Sequence, residues 1–428
     1  MGILKPEAVG KGGRQMVRRS KIGRRGVLAS VLLLALLGAV PGPAPMAAQA
    51  QGLEGLEGIG EPLAAKLSES QQRSYVLYLR GRAAFDIELK AYWGAIEQKR
   101  DGRKKKRTQG VAFTADDYVA VLPPRYDGPS LPPDVAKIVT EVKPAEPETP
   151  KPVVADFLAA ARTEYGFVPV TVTEREFKRR YAEEALTLTL SKHQVVRVYA
   201  LETGGRGTFD MQAGIDPDTR TGRAISSALG YAQLLAANST SELVKYGEPF
   251  AQRLTGLANT PGVAGAKAAA LRAKVAALRK MLRVVRAMPN EWGVHVKFST
   301  TPKGYGIHAI NLDADIGPWL QAIKLKGLKE EAERAGRPKL TGAEIELMNL
   351  SGPRTGLEMM EPVARGMPTA NFFSQGGYYR NTIVREKTAA QLLAALDERM
   401  EGSMKKPGAI EFATVFDEVM RRRGVAER

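Results

Sequence analysis

Apolar residues in the first part of the chain recur mostly at helical spacings between positions 61 and 98, namely Leu63, Leu67, Tyr75, Leu77, Leu79, Phe85, Ile87 and Tyr92. This pattern predicts one long amphipathic helix or a pair of helices. A basic run at 99–107 follows. Such a run is typical of a solvated helix end, and contact with the cell wall or an anionic lipid surface is the alternative.

Helical periodicity also dominates the chain beyond position 152. It predicts helices near 153–164, 173–188, 191–203, 228–237, 263–287, 316–335, 341–350, 387–400 and 410–422. Between 293 and 312, apolar and polar residues alternate around Thr300-Thr301-Pro302, which predicts a small β patch. The fold class expected from these patterns is mainly α with little sheet.

Prolines are dense between positions 122 and 152. Because proline removes a backbone donor and interrupts helices and central strands, this segment is predicted to be an extended linker. The linker divides the chain into a helical N-terminal extension at 51–121, a main domain at 153–400 and a C-terminal helical tail at 401–428.

The first fifty residues have the features of an export signal. A basic block at 18–25 precedes an apolar run from Val27 to Val40, and a small-x-small site follows at Ala48-Gln49-Ala50. This order predicts a cleaved signal peptide at 1–50 and a periplasmic protein. An uncleaved membrane anchor is the alternative, although the run is shorter than the roughly 20 residues of a spanning helix. Whether export would use the general or the twin-arginine route is left open.

Charge and composition narrow the classes of partner. The chain carries a formal net charge of +17, and removal of the +7 in residues 1–50 leaves about +10. A basic surface favours an anionic partner such as nucleic acid, an acidic membrane or an acidic polysaccharide. The basic run lacks interleaved aromatic residues, so nucleic acid is the weakest of these. The absence of cysteine excludes disulfides, thiolate metal sites and a cysteine nucleophile.

The candidate chemistry centres on Glu202, in the segment Leu201-Glu202-Thr203-Gly204-Gly205. Val195, Val198 and Leu201 share one side of the predicted helix with it, and the double glycine ends that helix. The helix dipole and apolar surroundings at this position both disfavour a charged carboxylate, so both raise its pKa. A carboxyl group that stays protonated near neutral pH is what general-acid cleavage of a glycosidic bond requires.

A second segment, Ser226-Ser227-Ala228-Leu229-Gly230-Tyr231-Ala232-Gln233-Leu234, is polar and turn-prone and is predicted to become helical around Gly230. Gly230 permits a close approach of backbone or sugar. The Gln233 amide offers both a donor and an acceptor to hydroxyl and acetamido groups.

Together these two segments resemble the soluble lytic transglycosylase and goose-type lysozyme group of the lysozyme-like superfamily. The resemblance implies that Glu202 is the catalytic acid/base and that Ser226, Ser227, Gly230, Tyr231 and Gln233 line a glycan groove. A third family element corresponds to Leu347-Met348-Asn349-Leu350-Ser351-Gly352, which adds Asn349. Met348 stands where the family has tyrosine, so Tyr199 or Tyr231 is the candidate to contact Glu202 instead.

The resemblance implies a mainly α, lysozyme-like domain that cleaves peptidoglycan strands without a metal or other cofactor. A lytic transglycosylase needs Glu202 alone, whereas a hydrolase needs a second carboxylate, for which Asp210, Asp216 and Asp218 are candidates. A turn is the favoured interpretation of Asp216-Pro217-Asp218. A non-catalytic protein that binds the wall is the rival, and the N-terminal extension is a candidate site for envelope protein partners.

Overall fold

The computed structural model describes residues 60–144 and 149–425. The predicted signal peptide lies outside the described residues. The described part of the chain is mainly helical and forms one compact unit. Its sixteen α-helices are α1 (Glu61–Ala64), α2 (Glu69–Thr108), α3 (Pro133–Val142), α4 (Val154–Tyr165), α5 (Glu174–Thr187), α6 (Lys192–Thr203), α7 (Ala236–Ala258), α8 (Gly265–Arg286), α9 (Trp292–Phe298), α10 (Pro302–His308), α11 (Gly317–Arg334), α12 (Gly342–Ser351), α13 (Pro353–Met359), α14 (Gln375–Arg380), α15 (Ala389–Met404) and α16 (Pro407–Arg423).

The 40-residue helix α2 is the dominant element of the N-terminal region. Its start is fixed by a capping box, in which Ser68 accepts from the backbone of Gln71 and the Gln71 side chain accepts from the backbone of Ser68. Its basic last turn complements the negative end of the helix dipole. The predicted helical extension therefore takes the form of a very short helix followed by one long helix.

The prediction that residues 122–152 contain no helix is wrong. Helix α3 forms within them, with Pro133 at its first position, where the missing proline N–H costs nothing. Val135 of α3 is buried against Leu63, Leu67 and Tyr75. This small cluster gives the segment a hydrophobic anchor that its proline content conceals.

The C-terminal half of α2 packs into the main core. Tyr92, Trp93 and Ile96 are buried there, and the Trp93 ring packs edge-on against Tyr378 and Tyr379. The basic run at 99–107 takes part in this packing, because Arg103 and Arg107 both pair with Glu358 of α13. The extension therefore folds against the rest of the protein.

Two hydrophobic cores lie side by side in the main body. The larger surrounds α6, which packs against α12, α15 and α16. The smaller is formed mainly by α4, α7, α8, α10 and α11. Helix α16 buries Phe412 and Phe416 against the same core as α6, so the described residues of the predicted tail belong to that packing.

The β patch predicted at 293–312 is wrong, because this segment forms α9, α10 and a short 3-10 turn. Thr301 caps the backbone of Gly304 and Pro302 occupies the first position of α10, which is a helix-start signal. Gly304 and Gly306 let α10 approach its neighbours closely, and a Cβ on Gly304 would lie 2.3 Å from the Phe298 carbonyl oxygen. Residues 60–144 and 149–425 contain only isolated β-bridges and no β-strand.

The helix predicted at 228–237 is also misplaced. Residues 228–234 form a tight turn closed by a bridge between Leu229 and Leu234, and α7 begins only at Ala236. Among the described helices, none is long and apolar enough to cross a membrane.

Candidate active site

Glu202 lies in the last turn of α6, a helix whose two ends are fixed by its own sequence. Ser191 and Gln194 form a capping box at the start. Gly204 adopts a left-handed conformation with φ of 62° and ends the helix directly after Thr203. Glu202 is therefore held near the negative end of the helix dipole, which disfavours a charged carboxylate.

The Glu202 side chain meets two residues of α12. The Asn349 amide Nδ2 donates to Glu202 Oε1 at 3.1 Å and to Glu346 Oε2 at 3.4 Å. Glu346 and Asn349 lie one helical turn apart on the same face of α12. The structure thus brings together Glu202 and Asn349, two of the site residues predicted from sequence, and adds Glu346.

Burial sets the protonation of this pair of carboxyl groups. It raises the pKa of Glu202 to about 7, although hydrogen bonds from Glu346 and Asn349 and the nearby Arg399 charge act in the opposite direction. Burial and the Glu202 charge raise the pKa of Glu346 well above its ordinary value. Glu346 is only 3% exposed, whereas Glu202 is partly exposed. Because two adjacent carboxylates repel each other and both side chains are desolvated, each carboxyl group keeps its proton to a higher pH than an isolated glutamate would.

Lys324 on α11 is the lysine whose positive charge acts on Glu346. Lys324 lies close enough to Glu346 to oppose the rise in its pKa. Burial in turn lowers the pKa of Lys324, against the attraction of Glu242 on α7. Among the described residues, neither Glu202 nor Glu346 forms an ion pair within 4.0 Å, since their contact is to Asn349 and to each other. The site therefore holds one buried and one partly exposed carboxyl group, and neither is paired directly with a positive charge.

The predicted groove residues Gly230 and Gln233 shape a turn. Gly230 has φ of 74°, and a Cβ there would lie 2.5 Å from the Gln321 side-chain nitrogen. The Gln233 amide donates to the carbonyl oxygens of Met211 and Gly230, at 3.3 and 2.8 Å. The backbone of Ala232 also donates to the Gln321 side chain at 3.0 Å, and none of the hydrogen bonds of this turn reaches Glu202.

Ser226 and Ser227 likewise make structural contacts. The Ser226 hydroxyl accepts from the backbone of Ala228 at 3.1 Å. The Ser227 hydroxyl accepts from the backbone of Ala236 at 3.1 Å, at the start of α7. Both serines remain partly exposed. They anchor the loop that leads from α6 to α7.

Neither of the two candidate tyrosines donates its hydroxyl to Glu202. Tyr231 is buried and donates to Glu174 of α5. Tyr199 donates to the Gly207 carbonyl oxygen at 2.8 Å. The two rings pack edge-on at 4.8 Å in the core beneath the site. Asn349 therefore provides the polar contact that was expected from a tyrosine.

The three aspartates proposed as second carboxylates take part in other interactions. Asp210 accepts from Arg220, and Asp218 pairs with Arg206 at 2.7 Å. Asp216 accepts from the backbone of Asp218 and Thr219, which is the turn that the sequence favours. Glu346 is instead the carboxyl group beside Glu202.

The remaining polar groups of the core do not suggest a metal centre. The imidazole of His308 contacts the Ser239 hydroxyl and the Ser227 carbonyl oxygen, at 2.8 and 2.6 Å. His295 contacts the Ser241 hydroxyl at 2.6 Å. Within residues 60–144 and 149–425, no group of three or more His, Asp or Glu side chains is placed to hold a metal ion.

Comparison with known proteins adds no identity: no family model matches the chain, and searches of curated proteins and of solved structures return no significant match.

Proposed function

We propose that this chain is an exported, lysozyme-like lytic transglycosylase that cleaves peptidoglycan with Glu202 as its acid/base. The single observation that carries the proposal is the setting of Glu202. It lies in the last turn of a buried helix before Gly204-Gly205, has a pKa raised to about 7 and accepts a hydrogen bond from Asn349. The basic chain suits the acidic groups of a wall polymer.

The proposed reaction uses the same carboxyl group twice. Protonated Glu202 donates its proton to the glycosidic oxygen as the bond to the anomeric carbon breaks. The resulting carboxylate then takes the proton of the muramyl 6-hydroxyl, whose oxygen bonds to the anomeric carbon. A 1,6-anhydro ring closes without water, and Glu202 returns to its protonated form. A pKa near 7 lets it act as both acid and base at neutral pH.

The position of Glu346 favours this route over hydrolysis. An inverting hydrolase separates its two carboxyl groups by roughly 6.5–9.5 Å to admit a water molecule, and a retaining one needs an ionised nucleophile. Glu346 is hydrogen-bonded to Glu202, and its raised pKa keeps it neutral. It therefore fits neither role as well as it fits that of a neutral partner to Glu202.

The surrounding arginines favour an enzyme over a wall-binding scaffold. In a scaffold, Glu202 would be expected to form a structural ion pair with Arg197 or Arg206. Arg197 instead pairs with Asp397 and Glu401, and Arg206 pairs with Asp216 and Asp218. Glu202 is thus left with a raised pKa and an amide donor.

The test is digestion of purified peptidoglycan by the chain from Gln51, with products identified by mass spectrometry. We expect anhydro-muropeptides from the wild type and a rate at least about a hundredfold lower from Glu202→Gln. Glu398→Gln is the matched control, because Glu398 is an exposed glutamate on the neighbouring helix α15. It should cleave like the wild type.

Two other results would redirect the assignment. Reducing-end muropeptides that disappear in Glu202→Gln would indicate a hydrolase. Wall binding without any cleavage product from the wild type would show that the enzymatic proposal is wrong. The remaining interpretation would then be a non-catalytic protein that binds the wall.

A further inference from the structure

Helix α8 presents a continuous basic face to solvent. Its 22 residues include seven Lys or Arg and no Asp or Glu. Lys274 is buried and pairs with Asp313 at 2.8 Å, whereas the other six are exposed. The excess of positive charge therefore lies on the outer side of the helix.

Four arginines of this face form a stripe. Arg272, Arg279, Arg283 and Arg286 are separated by seven, four and three residues, which places them on one side of an α-helix. At 1.5 Å per residue the stripe is about 21 Å long. We call it the arginine stripe. Its spacing presents guanidinium groups in a nearly straight line, as a flat anionic surface would require.

The middle of the arginine stripe is not neutralised from within the protein. Arg286 has a distant ion pair with Glu248 at 3.8 Å, and Arg272 donates to the Asn259 side chain. Among the described residues, Arg279, Lys280 and Arg283 have no hydrogen-bond or ion-pair partner. Their charge is therefore available to an external anion.

The shape and the neighbouring residues indicate what that anion is. Arg279, Arg283 and Arg286 line a shallow depression of about 450 Å³ together with Leu282, Ala287 and Glu248. Planar guanidinium groups bind phosphate through two parallel hydrogen bonds. Six residues after Arg286, α9 begins with Trp292, which is 52% exposed. Exposed tryptophan and arginine side chains both suit the headgroup level of a bilayer, where apolar and phosphate groups are both present.

We propose that the arginine stripe of α8 docks the protein onto an anionic phospholipid bilayer through the lipid phosphates. This inference is independent of the proposed glycan cleavage, because α8 contributes no residue to the Glu202 site. A polymer of carboxylates would satisfy the charge but would leave the exposed Trp292 without a function.

The test is co-sedimentation of the full chain with vesicles of phosphatidylcholine alone or with 30% phosphatidylglycerol. The test variant combines Arg279→Glu, Arg283→Glu and Arg286→Glu. The matched control combines Lys66→Glu, Lys90→Glu and Lys137→Glu, which changes the net charge equally at exposed positions of the N-terminal region outside the basic run at 99–107. Since each basic residue near an anionic surface strengthens binding to it, the α8 variant should bind the anionic vesicles more than about tenfold less tightly.

The control should retain most of the wild-type binding, and circular dichroism should show that both variants fold. Binding should also weaken in 0.5 M salt. Equal losses in the two variants would show a general effect of net charge and overturn the proposal. Binding of the wild type to purified wall but not to anionic vesicles would overturn it as well, with a polymer as the occupant.

Discussion

Two buried glutamates on successive helices lie in opposite electrostatic environments. Glu346 on α12 is 3% exposed and Glu358 on α13 is 5% exposed. Glu358 receives two arginines from α2, with the Arg103 Nε 2.7 Å from its Oε1. Glu346 receives the Asn349 amide and faces another acid, Glu202. The two side chains are therefore almost equally buried, but Glu358 is paired with arginines whereas Glu346 has no positively charged partner within ion-pair distance.

The difference separates a buried carboxylate that is paired with arginine from a pair of buried carboxyl groups without an ion-pair partner. The Glu358 cluster joins α2 to the main core, and its charges compensate each other. The Glu346 cluster disfavours ionisation of both acids, which opposes stability above the ordinary carboxyl pKa but preserves a proton in the site. Clusters of the second kind are typical of functional sites, because nothing in folding alone selects for them.

The largest effect should come from breaking the paired cluster. Arg103→Ala would leave Glu358 buried with one arginine and remove donors to the Asn371 and Asp117 carbonyl oxygens. We expect a loss of about 3–5 kcal/mol in the free energy of unfolding, measured by urea denaturation at pH 7. Arg73→Ala removes an exposed pair with Glu69 and serves as the control. Similar losses in both variants would contradict the structural role of the Glu358 cluster.

Substitution of Glu346 should instead stabilise the protein above the ordinary carboxyl pKa, by less than the Arg103 substitution destabilises it. Since its folded-state pKa is raised, the unfolded chain releases a proton that the folded chain retains, and stability falls as pH rises above the ordinary carboxyl pKa. Glu346→Gln removes this loss without changing the shape. The variant should match the wild type near pH 4 and melt about 2 °C or more higher at pH 8. A difference in melting temperature that does not depend on pH would disprove the raised pKa.

The smallest effect concerns the hydrogen bond between Asn349 and Glu202. This bond lowers the pKa of Glu202, against the larger effect of burial. Asn349→Ala should therefore raise that pKa. The pH at which the cleavage rate falls on the alkaline side should move upward by about half to one unit. Asn238→Ala, at the exposed start of α7, is the control. A downward shift would show that Asn349 does not stabilise the ionised form.

Local sequence signals were sufficient for the element that carries Glu202. The helix predicted at 191–203 was confirmed as α6, because Ser191, Gln194 and Gly204 are short-range start and stop signals. The helices predicted at 263–287 and 316–335 were also confirmed, as α8 and α11, and here the signal was helical periodicity. The mainly α class follows from these elements.

The errors arose where tertiary contacts decide the local structure. The segment around Gly230 has helical composition, but close packing on Gln321 and positive φ at Gly230 and Gln233 impose a turn. The alternation at 294–298 resembled a strand, although its neighbours Thr301 and Pro302 start a helix. Helix α3 depends on Leu63 and Tyr75, which are distant in sequence.

The site was predictable only in part. Glu202 and Asn349, which the structure brings into contact, were selected from the sequence because each lies in a short motif. Glu346 was missed, because its meeting with Glu202 depends on how α6 packs against α12, which no local pattern encodes. The one available signal was its position three residues before Asn349, on the same helical face.

The enclosure of α6 also has a consequence for dynamics. With nine of its twelve residues buried and both ends capped, α6 has no segment that can open while the core stays intact. Its amide hydrogens should exchange with solvent only through global unfolding, whereas those in the exposed first half of α2 exchange through local fraying. The backbone of Glu202 is thus ordered before any ligand arrives, so that binding at this site does not require the chain to lose further conformational entropy.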